Sequence, residues 1–238
     1  MLSSYNRALT IFSDDGKLFQ TEYALEASKC SATIVALQSS PPDPAIIIGV
    51  EKFEKMILQK QQSSKKVVMI DEHVACAFAG RPADARLLIQ KAQVECQSHR
   101  LTYEDPISVE NIARYIATIM LKCTQYGGVR PFGVSMLICG FDSSKKPHIY
   151  QTLPSGHLSE WKACGIGKYE RPIQEYLEKL DWDQGFSTDE TIKTAITALR
   201  ENCSCKNIEI AELKYGETGP VFHILTDQEI EEHANNLE

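Results

Sequence analysis

Apolar stretches in this chain arrive in groups. Strand follows strand and helix follows helix, and this grouping limits the fold more than any other feature. Ser31 to Leu37 reads as a strand. Ser39-Ser40-Pro41-Pro42-Asp43-Pro44 is a loop, because three prolines cannot donate to a ladder. Ala45 to Val50 is a continuous apolar run and reads as a buried strand. Val67–Ile70 and His73–Ala79 make a hairpin around Asp71-Glu72. Two helices follow. Pro82 opens the first, with Ala85, Leu88, Ala92 and Cys96 as its stripe. The second turns Ile112, Ile116, Ile119 and Cys123 inward and ends at Gly127-Gly128. Strands return at Phe132–Phe141, His148–Thr152 and Trp161–Ile166. A helix over about Tyr169–Leu180 comes next, then one behind the capping box Ser187-x-x-Glu190. Ile208–Leu213 and Val221–Leu225 are the last strands, and Thr226-x-x-Glu229 opens a short final helix. Such an order fits a layered sandwich better than a strict βαβ alternation. Two sheets face to face, with helices outside, is what it permits.

At 238 residues the chain fits one large domain or two small ones and can bury a substantial core. A net charge of -7 argues against a nucleic-acid binder. No apolar run is long enough to cross a bilayer, and no basic-then-apolar leader opens the chain. Cytosol or nucleus is the expected compartment, where cysteines are reduced and serve mostly as small buried hydrophobes. Cys203-x-Cys205 has no second pair or histidine at zinc spacing. The six histidines are dispersed, so no metal is expected. Gly165-Ile166-Gly167 lacks the rest of a dinucleotide pattern, and no cofactor is expected either.

Tyr5-Asn6-Arg7, followed by Phe12-Ser13-Asp14-Asp15-Gly16-Lys17-Leu18-Phe19-Gln20-Thr21-Glu22-Tyr23-Ala24, resembles the N-terminal signature of proteasome α-type subunits. Asn6, Asp14 and Thr21 depart from that signature, which carries aspartate, proline and valine there. Gly80-Arg81-Pro82-Ala83-Asp84-Ala85-Arg86, Arg130-Pro131-Phe132-Gly133, Pro154-Ser155-Gly156 and Trp161-Lys162-Ala163 are similar to further family blocks. Glu95 to Thr102 is most similar to the α-type 7 branch, which occupies the fourth ring position.

The resemblance implies an α+β fold: a four-layer αββα sandwich of N-terminal nucleophile hydrolase type, with an extra N-terminal helix. It implies one domain over residues 1–238, with 1–30 as gate segment and first helix and 31–238 as the sandwich. It implies a structural and gating subunit of the 20S outer ring, with six other α subunits, the β subunits and regulatory-particle ATPases as partners. The side of the first helix that carries Leu18, Phe19, Tyr23, Leu25 and Ala27 is expected at subunit contacts, having little else to pack on.

Active relatives use a freed N-terminal threonine whose own amine accepts the proton. Here Ala32 aligns with that nucleophile and has no hydroxyl, and the chain continues back through the first helix. Proteolysis by this chain is therefore not expected. Glu51 and Lys66 align with the acid and lysine of the active site. In α-type subunits the lysine matching Lys66 pairs with the terminal carboxylate of an activator tail, and Gly80 would line the same pocket. Read from sequence alone, Lys65-Lys66 is a solvated basic turn. Arg81 stands where an aliphatic residue is usual. The implied gate cluster is Tyr5, Asn6, Arg7, Asp14 and Tyr23. The rival enzyme reading is a hydrolase maturing by cleavage before Cys30, Ser31 or Thr33; a third is a globular scaffold unrelated to proteolysis.

Overall fold

The computed structural model describes residues 10–52, 65–182, 184–200, 207–216 and 219–235. The elements in order are α1 (Phe19–Lys29), β1 (Ile34–Gln38), β2 (Ala45–Glu51), β3 (Val67–Asp71), β4 (Val74–Gly80), α2 (Pro82–Tyr103), α3 (Val109–Gln125), β5 (Val134–Phe141), β6 (Pro147–Thr152), β7 (Leu158–Trp161), β8 (Ala163–Ile166), α4 (Glu170–Leu177), α5 (Thr188–Arg200), β9 (Ile208–Gly216), β10 (Gly219–Ile224) and α6 (Asp227–Asn235).

Two five-stranded antiparallel sheets form the centre, ordered β10-β9-β2-β1-β8 and β3-β4-β5-β6-β7. The inner strands are apolar at almost every position because both of their faces are covered. Alternate residues divide between two cores. Ile34 and Ala36 of β1, Ile46 and Ile48 of β2, Ala75 and Ala77 of β4, and Leu137 and Cys139 of β5 meet between the sheets. Their neighbours face outward. Val35, Leu37 and Ile47 pack under Ile173 of α4 and Ile192, Ala195 and Leu199 of α5. Cys76, Phe78, Met136 and Ile138 pack under Leu88 of α2 and Ile112, Ile116 and Met120 of α3. The fold is thus an α+β sandwich with helices outside two stacked sheets.

Both capping boxes form. Ser187 N–H donates to Glu190 Oε2 at 2.9 Å and Glu190 N–H returns to Ser187 Oγ at 3.3 Å. Thr226 and Glu229 repeat the exchange at 2.7 and 3.4 Å. Cys76, Cys96, Cys139 and Cys164 are buried, as small hydrophobes should be, and burial pushes the Cys164 thiol up to about 12. Cys203 and Cys205 lie outside the described residues.

Several expectations need correcting. Trp161–Ile166 is not one strand. The chain leaves the second sheet after Trp161 and enters the first at Ala163, with β7 pairing β6 and β8 pairing β1. Lys162 is the corner, and its carbonyl accepts from Gln38 N–H at 3.1 Å. No glycine or proline marks it, so the sequence runs on without a break. The helix expected to reach Leu180 stops at Leu177, whose carbonyl is taken by Trp182 Nε1–H at 2.8 Å. Ile119 and Cys123 are only half-buried, and Ala113, Ala117 and Met120 complete the inward face of α3.

α1 has a surface of its own chain to pack on, contrary to expectation, while the side expected at subunit contacts stays outside that packing. It packs on β4 and β5 of its own chain, through Ala24 and Ser28. Ser28 and Ser135 of β5 share a hydrogen bond of 2.8 Å between their hydroxyls. Tyr23 and Ala27 remain exposed, and Leu18, Phe19 and Leu25 are half-buried.

Candidate functional site

Lys66, Gly80 and Arg81 lie at one end of the second sheet. Lys66 directly precedes β3, and its carbonyl accepts from Phe78 N–H of β4 at 3.3 Å. That hydrogen bond sets Lys66 across from β4, two residues before Gly80. Lys66 is half-buried. Its Nζ lies 3.5 Å from Ser31 Oγ and 5.0 Å from the centre of the Phe78 ring. Among the described residues it makes no ion pair. Burial holds its pKa below the ordinary lysine value. A half-desolvated ammonium held by a hydroxyl and an aromatic face can take an anion at low cost.

Gly80 has φ +125°, and a Cβ there would stand 2.2 Å from Gly133 O. The backbone of Gly133 therefore runs against Gly80, and Arg81 N–H donates to the same carbonyl at 3.0 Å. Asp84 fixes this junction. It takes Arg130 through Nη1 and Nη2, both at 2.7 Å, and accepts Gly133 N–H at 3.0 Å. The Arg130 hydrogen bond is the chief reason its carboxyl stays below the usual range. The Asp84 and Arg130 blocks stand apart in the sequence, and their binding to each other is visible only in the fold. An aspartate at a helix start and a distant arginine carry no spacing signal that joins them.

Ala32 is buried at the end of the segment leading into β1. Gly167, at φ +100°, fits against it, since a Cβ on Gly167 would stand 2.4 Å from Ala32 O. Thr33 is fully buried; its N–H donates to Glu51 Oε2 at 2.9 Å and its carbonyl accepts Glu51 N–H at 2.9 Å. Glu51 is thus occupied by the Thr33 backbone. Lys66 reaches Ser31 instead. The amide of Ser31 is bonded back to Ser28 O at 3.2 Å, tying this segment to the end of α1.

Of the gate cluster, Tyr5, Asn6 and Arg7 lie outside the described residues. Asp14 is exposed in the turn before α1. Tyr23 is 49% exposed on α1 and stacks on Phe19 with ring centroids 6.4 Å apart.

A family profile described as "Proteasome subunit" matches residues 29–214. The chain belongs to the proteasome subunit family. A second profile, the N-terminal signature of α-type proteasome subunits, matches residues 5–27 and places it on the α-type branch. The alpha type-7-B proteasome subunit of Arabidopsis thaliana is 50% identical over 92% of this chain and 86% of its own length. The alpha type-8 proteasome subunit of Mus musculus is 45% identical over 100% of this chain and 94% of its own. The alpha type-7 proteasome subunit of Dictyostelium discoideum is 47% identical over 95% and 88%. The resemblance of Glu95–Thr102 to α-type 7 subunits agrees with two of these three names. Within this proteasome α-type chain, the junction of Gly80 and Asp84 with Arg130 and Gly133 joins blocks that lie far apart in sequence.

Proposed function

We propose that this chain is a non-catalytic subunit of the outer ring of the 20S proteasome, serving ubiquitin-dependent protein degradation in cytoplasm and nucleus. It acts as one domain over residues 1–238. It sits beside six other α subunits, scaffolds the β ring, helps control substrate admission with its first residues, and receives the tails of regulatory-particle ATPases or other activators. The observation that carries the non-catalytic part is Ala32. A methyl group stands where attack on a peptide carbonyl needs a hydroxyl. The neighbouring hydroxyl, on Thr33, is fully buried inside the sandwich. Lys66 supports the docking part, because a compact ammonium on a flexible stem suits a terminal carboxylate.

Two experiments test this reading. A threonine-directed epoxyketone should label β subunits of the particle and leave this chain unlabelled, with its intact mass showing no loss of residues 1–30. Covalent labelling of this chain would overturn the non-catalytic assignment. Lys66→Ala should leave particle assembly unchanged and weaken tail binding at this pocket by roughly 1.5–3 kcal/mol, the scale of one charge-assisted contact. Unaltered tail density at this pocket in the mutant particle would remove the docking role.

A further inference from the structure

We propose that the Lys66–Gly80 site selects peptide C-termini that carry a second carboxylate, and that Arg81 reads that second charge. The inference rests on the tail-docking reading above and extends it to the chemistry of the tail.

Arg81 follows Gly80 directly and is exposed at the N-cap of α2 in extended conformation, φ -74° and ψ 118°. Its backbone is pinned by the N–H bond to Gly133 O. Its stem lies along Gly133, where a Cβ would meet Arg81 Cδ at 3.4 Å. The guanidinium is unspent. Asp84 is the carboxylate that feels Arg81 through space, but both of its oxygens are already held by Arg130 and Gly133 N–H. Among the described residues the Arg81 side chain makes no hydrogen bond or ion pair. Glu51, the acid at this end of the sandwich, accepts Thr33 N–H through Oε2 and makes no ion pair with Lys66 or Arg81 among the described residues. Two cations therefore stand at the Gly80 end of β4, Lys66 against Phe78 and Arg81 next to Gly80, and neither has a carboxylate of its own among the described residues.

A planar guanidinium offers a fork that matches a carboxylate, whereas an ammonium acts as a point charge. Lys66 suits the terminal carboxylate and Arg81 a side-chain one. The spacing sets the register. Lys66 is opposite Phe78, and the backbone of Arg81, just past the end of β4 at Gly80, lies three residues beyond Phe78, at most about 10 Å along the strand direction at the rise of a strand. An extended peptide covers that span in the same number of residues. The acid read by Arg81 thus belongs within the last three residues of the tail.

Photo-crosslinking to the assembled particle tests this at the single chain. The probes are benzophenone-bearing heptapeptides with Glu or Gln at the penultimate or antepenultimate position, each as C-terminal acid and as amide. Crosslink yield on this chain is read by mass spectrometry. The Glu acid should exceed the Gln acid by about threefold or more, the scale of an exposed charge pair. Arg81→Leu should bring that ratio to about one, and Arg81→Lys should keep most of it. Raising salt from about 0.05 M to about 0.5 M should shrink it. A Glu-to-Gln ratio unmoved by Arg81→Leu overturns the inference and leaves the Lys66 reading intact. Equal yields for acid and amide, with the ratio still dependent on Arg81, sink the Lys66 reading and keep Arg81 as an acid reader. No specific crosslink from any probe overturns both.

Discussion

Asp84 and Arg130 are joined fork to fork, with two hydrogen bonds of 2.7 Å, and Gly133 N–H is held by the same carboxylate. One ion pair therefore ties the start of α2 to the loop before β5. Arg130 is half-exposed, which tempers the Coulombic part. Asp84→Asn should destabilise the full chain by about 1–3 kcal/mol, because a buried acceptor becomes half donor beside Gly133 N–H. The pH dependence has a definite sign. Arg130 holds the folded pKa below the ordinary 3.8, so the contribution is complete above that value. It disappears as pH falls through the lower folded pKa. Urea unfolding should show a gap between wild type and Asp84→Asn at neutral pH that closes in strong acid. A gap independent of pH would mean the effect is packing and not charge.

Gly80 and Gly16 separate two costs of adding a methyl group. Both have positive φ, +125° and +74°, but a Cβ at Gly16 meets nothing within 4 Å. Gly16→Ala should cost only the dihedral strain, about 1 kcal/mol. Gly80→Ala adds a contact of 2.2 Å with Gly133 O and must displace the loop that Asp84 holds. It should cost at least about 1 kcal/mol more than Gly16→Ala in thermal unfolding. Equal costs would show that the β4 end yields freely.

Much of the sandwich was legible in the sequence. Ile46, Ile48, Leu137 and Cys139 belong to unbroken apolar runs, and such runs demand cover on both faces. Ser187 and Glu190 announced their cap by spacing alone. The corner at Lys162 was hidden because nothing in Trp161–Ile166 disfavours a strand; only the separate pairings of Ile149 with Trp161 and of Leu37 with Ala163 divide it. The site was legible in a different way. Ala32, Lys66 and Gly80 stand out through resemblance, but the hydrogen bond of Glu51 with Thr33 and the pairing of Asp84 with Arg130 are tertiary. Neither pair has a local pattern to read.

Ser28 and Ser135 give a directional prediction for the docking of α1. Ser28 Oγ donates to Leu25 O at 2.7 Å, so its 2.8 Å contact with Ser135 has Ser135 as donor. Removing Ser28 strands that buried donor. Removing Ser135 leaves only an empty lone pair on Ser28. Ser28→Ala should therefore cost about 1–2 kcal/mol and Ser135→Ala less, with the double mutant close to Ser28→Ala alone. Additive losses in a double-mutant cycle would show that the two hydroxyls do not depend on each other.

The outer side of α1 and the segment leading into it should matter for assembly and little for folding. Phe12 and Tyr23 are 63% and 49% exposed, so water already touches much of each ring in the chain by itself. Tyr23→Ser with Phe12→Ser should change the chain's own stability by no more than about 0.5 kcal/mol, as surface substitutions do. Incorporation into rings should nonetheless fall, because the Tyr23 side of α1 is the side expected at subunit contacts. Ala24→Asp supplies the contrast. Ala24 is buried against β4 and β5, and a charge there has no partner, so this change should undock α1 and lower the melting temperature. Thermal unfolding of the chain and its share in particle-sized fractions measure the two effects separately. If the Phe12 and Tyr23 variant assembled normally while Ala24→Asp did not, the subunit contacts would depend on where α1 is held and not on these two exposed rings.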